Sequence, residues 1–202
     1  MSEPLRESDL AGDPVEQFRR WFDEARASGA LQPEAMTLAT ATADGRPSAR
    51  MVLLKSWGAE GFGFHTSYGS RKARELDENA RAALVVYWPE LGRQVRVEGT
   101  VEKVTRDESE AYFRTRPRGS RIAALASEQS SVLGSREELE KRYAEVERQY
   151  EGTDEIPLPE RWGGYRVRPE SIEFWQHREH RLHDRLRYAR AREGWVVERL
   201  AP

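Results

Sequence analysis

Residues 50–72 read RMVLLKSWGAEGFGFHTSYGSRK: an apolar run between Arg50 and Lys55, a glycine-bearing turn, a second run, then a Gly-Ser-Arg-Lys step. Met51 to Leu54 suit a strand, Gly58 to Gly61 carry turn chemistry, and Phe62, Phe64 and Thr66 resume a strand, so the stretch predicts a β-hairpin. Ser70 then stands as N-cap of a helix RKARELDEN, with Arg71 and Lys72 in a first turn whose free N–H groups favour an anion such as phosphate. The helix macrodipole disfavours cations at that end, and functional sites are where such local rules are broken. A solvated basic turn would read the same way from this stretch alone.

Working outward, 202 residues of which 38% are apolar are enough for one domain with a proper core. Charged residues make up 34% but balance to −2, so no global basic field points to nucleic acid and any basic patch is local. The absence of Cys excludes disulfides, thiolate catalysis and Cys-ligated metals, and agrees with a reducing cytoplasm. The polar, acid-bearing start MSEPLRESDLAGD reads as neither a secretory signal nor a transit peptide, and no apolar run approaches membrane-spanning length.

Residues 1–12 lack periodicity and are expected as a mobile arm ahead of one domain over residues 13–202. Asp13-Pro14-Val15-Glu16 supplies an N-cap, an N1 proline and an N3 acid, starting a helix with Val15, Phe18, Phe22 and Ala25 on one stripe and Trp21 beside it. Met36 to Ala43 alternates into Asp44-Gly45, a two-residue hairpin signal leading to the strand at Arg50. Arg81 to Trp88 reads as a buried strand, and Arg93 to Val104 alternates, with Gly99 suited to a bulge. Asp107 is expected to cap a helix that Pro117 ends, and Ser135 to Glu138 to open another. Trp162 to Arg168, Ser171 to Gln176, Arg181 to Arg190 and Trp195 to Leu200 follow as strands. Strict alternation would put Arg181, His183 and Arg185 on one face and Leu182, Leu186 and Tyr188 on the other; a charged edge strand has the same pattern.

This order of elements predicts a mainly β (α+β) fold, an antiparallel barrel with peripheral helices. No G-x-G-x-x-G follows a strand, no G-x-x-x-x-G-K-[ST] loop occurs, and no Gly-x-Ser-x-Gly elbow supports serine acyl transfer. His177 and His180 have ligand-like spacing but sit in a predicted loop, so no metal site is assigned. What remains is several separate clusters of Arg, Lys, Gln and Ser, with Trp, Tyr and His to flank flat rings.

In order, Arg50-Met-Val-Leu-Leu-Lys55, Gly69-Ser-Arg-Lys72, Arg93-Gln94-Val95, Thr115-Arg116-Pro117-Arg118, Gln129-Ser130-Ser131, Trp162-Gly-Gly, Glu173-Phe-Trp-Gln176, Arg181-Leu-His-Asp-Arg185 and Arg199-Leu-Ala-Pro202 resemble the pyridoxine (pyridoxamine) 5′-phosphate oxidase family. The resemblance runs from about Asp13 to Pro202 and implies an FMN-binding split β-barrel, a homodimer with flavin at the subunit interface, and oxidation of pyridoxamine or pyridoxine 5′-phosphate by oxygen. It implies flavin contacts at Arg50, Met51, Val52, Leu53, Leu54, Lys55, His65, Thr66, Arg71, Lys72, Gln94, Gln129, Ser130, Trp175 and Arg185. It implies substrate contacts at Lys55, Tyr112, Arg116, Ser120, Arg181, Leu182 and His183, with Arg181 and His183 catalytic. Arg50 and Lys55 would lie on opposite strand faces, which a bulge or a two-chain site reconciles. The chain departs from the family pattern at His65, where many members carry Tyr or Phe, at Gln32, where many carry an acid, and in lacking an Arg-x-x-Tyr segment near its start. A related phenazine-pathway flavin oxidase and a non-catalytic binder of FMN or pyridoxal phosphate are the alternative readings.

Overall fold

The computed structural model describes residues 3–202. The Asp13 carboxylate accepts from the amides of Val15 and Glu16 and starts α1 (Pro14–Ala27), whose Phe18, Trp21, Phe22 and Ala25 are buried. Gly45 at φ 85° helps turn β1 (Ala35–Ala41) back into β2 (Pro47–Leu53) at the expected place, but the Thr42 amide donates to Arg46 O, so the loop takes three residues, 43–45, rather than the two of the Asp-Gly signal. β3 (Ser56–Gly58), β4 (Gly61–Ser67), α2 (Arg71–Glu78), β5 (Arg81–Trp88) and β6 (Arg93–Lys103) follow. After α3 (Arg106–Thr115), α4 (Arg118–Ala126) and α5 (Arg136–Gln149), the chain returns to sheet in β7 (Trp162–Gln176), β8 (Asp184–Arg190) and β9 (Trp195–Arg199).

All nine strands join one antiparallel sheet in the order β2-β1-β5-β6-β7-β4-β3, with β8 and then β9 added from β7. The two segments expected as separate strands are one continuous β7, which pairs with β4 over its first half and β8 over its second. The exchange occurs where the register with β6 slips between Glu98 and Gly99. Glu98 faces Ser171 and Gly99 faces Pro169, leaving Glu170 as the extra residue of a bulge. A Cβ at position 99 would run into the Arg168 carbonyl, so only glycine permits this approach. The bend splits the barrel and leaves two apolar clusters. The larger fills the barrel under α1, where Phe18 packs on Phe22, Trp57, Phe62 and Trp88. The smaller gathers Phe113, Ile122, Ile156 and Trp162 beneath α3 to α5. No helix is long and apolar enough to cross a membrane among the described residues.

Several expectations are corrected. The strand after Arg50 does not pair with the one at Phe62: β2 ends at Leu53 and pairs with β1, while β4 takes the short β3 as its hairpin partner. The chain changes partners at the break, where the Leu54 amide donates to Glu34 O and the Lys55 amide to Gly63 O. Thr105, not Asp107, caps α3, in a reciprocal box with Glu108. Pro117 does end that helix, but α4 begins immediately after it, a helix that periodicity did not reveal because its Arg and Gly residues masked a buried Ile122. The strand expected from Arg181 starts only at Asp184; His180 and Arg181 sit at φ 55° and 61°, and Leu182 is exposed rather than packed inward. Of the arm expected over residues 1–12, Met1 and Ser2 lie outside the described residues, and in the rest Leu5 and Ala11 are buried and the Tyr188 hydroxyl donates to Ala11 O.

Gly99→Ala is expected to destabilise the fold by about 2 kcal/mol or more, since the new methyl meets backbone rather than a yielding side chain. Thermal unfolding of the variant checks this, and an unchanged melting temperature contradicts the assignment of Gly99 to the split.

Candidate functional site

The edge strand β2, the end of β4, the start of α2 and the α3–α4 pair enclose a cleft of about 1070 Å³. Glu75 organises its floor. This carboxylate, almost wholly buried, accepts from Thr40 Oγ1 at 2.5 Å, Ser48 Oγ at 2.5 Å, Arg71 Nε at 2.8 Å and Arg50 Nη2 at 3.1 Å. Burial works to raise its pKa, but the hydrogen bonds from Ser48, Thr40, Arg71 and Arg50 hold it down at about 2. The pairing at i and i+4 also answers the unfavourable position of Arg71 in the first turn of α2. Lys72 is buried beside it, its Nζ 2.9 Å from Gln129 Oε1 and 3.1 Å from Thr66 Oγ1. Burial, then the neighbouring Arg50, pulls this ammonium down to about 8, against the attraction of Glu75. Ser70 precedes α2 without a side-chain cap; its hydroxyl instead accepts from Lys72. Arg50 and Arg71 pair with Glu75 while Lys72 is held by neutral oxygens, so three cations and one carboxylate leave a surplus of two positive charges beside the start of a helix.

A second cationic group lies across the same cleft. Tyr112 stacks on His65 at 4.1 Å, Trp162 stacks on His65 at 5.3 Å, and the Tyr112 and Trp162 rings lie 6.2 Å apart and nearly parallel. Lys55 Nζ stands 5.9 Å from the Tyr112 ring and the Arg116 guanidinium 4.8 Å from the Trp162 ring. Arg116 and Ser120, both expected as substrate contacts, arrive through the Pro117 corner between α3 and α4. Burial, then repulsion from Arg116 and Lys55, pulls His65 down to about 4, so it is neutral at pH 7. Both His65 nitrogens and Arg116 Nη1 are buried without a hydrogen-bond partner. The loop after α4 closes the cleft through Gln129 and Ser130, the latter at φ 73°, a left-handed conformation that serine seldom adopts.

Of the residues expected at a site, the cleft brings together Arg50, Met51, Val52, Leu53, Lys55, His65, Thr66, Arg71, Lys72, Tyr112, Arg116, Ser120, Gln129 and Ser130. Arg50 and Lys55 share it because the strand breaks at Leu54, which ends their alternation; the Leu54 side chain itself is in the core. Glu75 was missed, although its spacing from Arg71 was the available signal. The remaining expected residues lie elsewhere on the chain. Gln94, Trp175 and Arg185 face one another in register across β6, β7 and β8. Trp175, Arg181 and His183 line a shallower hollow of about 540 Å³, and Leu182 stands exposed beside it. Arg185 is bound to the buried Glu173 at 2.8 and 3.1 Å.

These two clusters are joined by the outer face of the sheet. Leu53 pairs with Ala35, Met51 with Thr37, Thr37 with Val85, and Tyr87 with Gln94, so one surface runs from the cleft edge to Trp175. Met51 is 63% exposed and Tyr87 54%, an apolar patch that a monomer in water leaves uncovered.

Residues 22–150 match the family profile described as pyridoxamine 5′-phosphate oxidase. Residues 162–202 match that of the pyridoxine 5′-phosphate oxidase C-terminal dimerisation region. The chain is 60% identical over 198 residues to the pyridoxine/pyridoxamine 5′-phosphate oxidase of Rubrobacter xylanophilus, covering 98% of this chain and 91% of that protein. It is 55% identical over 202 residues to the enzyme of the same name from Acidothermus cellulolyticus, covering 98% and 90%. Among solved structures, PhzG from Burkholderia lata, in complex with tetrahydrophenazine-1-carboxylic acid, superposes with a TM-score of 0.92 at 35% identity, covering 99% and 98%. An FMN-binding protein from Nostoc punctiforme shares the fold with a TM-score of 0.73 at 17% identity, covering 92% and 97%. All the cleft-lining residues except Trp162 fall within the first matched region, and Trp162 and the Trp175 hollow fall within the dimerisation region. The chain belongs to the pyridoxamine 5′-phosphate oxidase family.

Proposed function

We propose that this protein is an FMN-dependent oxidase that converts pyridoxamine and pyridoxine 5′-phosphate to pyridoxal 5′-phosphate, with oxygen as electron acceptor and hydrogen peroxide as product. The observation that carries this reading is a single cleft holding two separate cationic groups, one for each of two phosphates, with flat rings against the second. The donor set fits FMN: Arg71, Lys72 and the first amides of α2 suit its phosphate, and the surplus of two positive charges matches a dianion. The open edge of β2 offers backbone groups to a flat heterocycle. When bound, FMN supplies the redox chemistry, taking up the electrons that leave the substrate and passing them to oxygen.

The chain's own residues then bind and orient. Lys55, Arg116 and Ser120 suit the substrate phosphate, with Tyr112 as an apolar wall. His65 stays neutral between Arg116 and Lys55 and so adds no charge to that pocket. Met51, Leu53, Thr37, Val85 and Tyr87 suit a two-fold contact with a second copy, continuous with the C-terminal dimerisation region. Such a contact brings Gln94, Trp175 and Arg185 of one copy toward the cleft edge of the other, with Arg181 and His183 meeting the substrate. The joint presence of Lys55, Tyr112, Arg116 and Ser120 in the cleft supports the B6-phosphate reading over a phenazine substrate. Oxygen uptake with pyridoxamine phosphate separates an oxidase from a passive carrier.

Arg71→Ala combined with Lys72→Ala is expected to weaken FMN binding by about 3 kcal/mol and to yield a colourless purified protein. Stoichiometric flavin surviving dialysis rejects these residues as the phosphate site. Lys72 supplies a pH signature. Its ammonium, depressed to about 8 in the protein, is held charged by a bound phosphate, so FMN binding takes up a proton near pH 8.5 and weakens as pH rises further. Titration calorimetry in two buffers of different ionisation heat measures this uptake; zero uptake counts against contact between Lys72 and the phosphate. Dilution to the monomer should release FMN, and added FMN should stabilise the dimer. A monomer that keeps its flavin contradicts a two-chain site.

A further inference from the structure

The hollow that carries Arg181 and His183 is built from strained backbone. His180 and Arg181 are consecutive non-glycine residues in the left-handed region, at φ 55° and 61°. Such a conformation persists only where the surroundings over-determine it. The residue that closes the loop is Asp184, the first of β8 and directly adjacent to His183. Its carboxylate is mostly buried, with 14% of the side chain exposed, and it ties together three parts of the chain. Oδ2 accepts from the Leu5 amide at 3.1 Å and lies 3.4 Å from Arg178 Nε. Oδ1 accepts from Arg199 Nη1 at 3.0 Å.

Each of these ties leads onward. The Arg178 amide donates to His183 Nδ1 at 3.1 Å, which leaves the proton of the neutral imidazole on Nε2. Arg199 also binds both Glu7 oxygens, at 2.8 and 2.9 Å, and donates to Leu5 O at 2.9 Å. Gln176, paired with Asp184 across β7 and β8, donates to Glu3 O at 2.7 Å. The segment Glu3 to Glu7 is therefore strapped over the end of the last hairpin. It meets the strained loop through the Asp184 carboxylate, which holds the Leu5 amide and Arg178 together.

We propose that Asp184 is a positioning residue for the reaction: with Arg199 and the Leu5–Glu7 segment it holds the 177–183 loop in its strained shape, and so sets where Arg181 and His183 stand against the substrate. The inference rests on the reading above that this loop meets the substrate. Asp184 touches neither substrate nor cofactor in that reading. It acts through Arg178 on the tautomer of His183 and through the strand start on the backbone of Arg181.

The test uses the FMN-loaded dimer and pyridoxamine phosphate. Asp184→Asn keeps the shape and an acceptor for the Leu5 amide but loses the charge that binds Arg178 and Arg199. It should raise KM about tenfold while kcat stays within about twofold and flavin content is unchanged. Glu7→Gln, an exposed position where folding is not at stake, should raise KM in the same direction by about two- to threefold. Melting temperature and flavin occupancy are measured on each variant. KM within twofold of the parent for both variants overturns the proposal. So does a rise in KM for Asp184→Asn that comes only with lost flavin or a lower melting temperature while Glu7→Gln behaves as the parent. Arg181→Ala serves as control. A strong fall in its kcat/KM beside unaffected Asp184→Asn and Glu7→Gln rejects positioning alone, whereas parental turnover in Arg181→Ala removes the substrate-loop reading and this inference with it.

Discussion

A single buried carboxylate sets the shape of the cleft. Glu75 has no water to hold its charge, so four donors must do so, and two of these are the guanidinium groups of Arg50 and Arg71. Those two arginines come from different elements, β2 and the first turn of α2, and the carboxylate fixes their separation. Thr40 on β1 and Ser48 on β2 complete the shell, so removing the carboxylate would leave a sheet edge, a helix start and two buried-facing cations without a common partner. An anion-binding surface needs cations that repel one another to stay together, and Glu75 offsets that repulsion while leaving a positive surplus toward the opening. Lys72 is held by neutral oxygens of Gln129 and Thr66, and burial, then the neighbouring Arg50, lowers its ammonium against the attraction of Glu75.

The bulge at Gly99 acts at longer range. It lets β7 give its first half to β4, beside the cleft, and its second half to β8, beside the Trp175 hollow. One strand thereby anchors both clusters while keeping them apart on a single chain. The outer face between them is apolar at Met51, Leu53, Val85 and Tyr87 and polar toward Arg96, Glu173 and Arg185. That gradient suits a two-fold partner laid in the opposite sense, apolar rows meeting near the axis and each polar end reaching the other's cleft.

Local signals in the sequence determined much of this molecule. The Asp13-Pro14 start of α1, the Asp44-Gly45 turn, the strands at Arg81 and Arg93, the bulge at Gly99 and the basic start of α2 all follow from neighbouring residues, because caps, turns and alternation are properties of a few adjacent peptide units. The ordered motifs also carried the family, since they stand for contacts distributed along the whole chain. Tertiary structure alone decided which strand pairs with β4, because Met51 to Leu54 has the same pattern whether its partner is β1 or β4. It alone seated residues 3–12, whose partners Asp184, Gln176 and Arg199 lie more than 170 positions away and leave no period to read. It alone turned Arg181 and His183 from a strand face into a strained loop: the charges looked alternating, but the clamp at Asp184 and the left-handed backbone before it are set by contacts that only the folded chain makes.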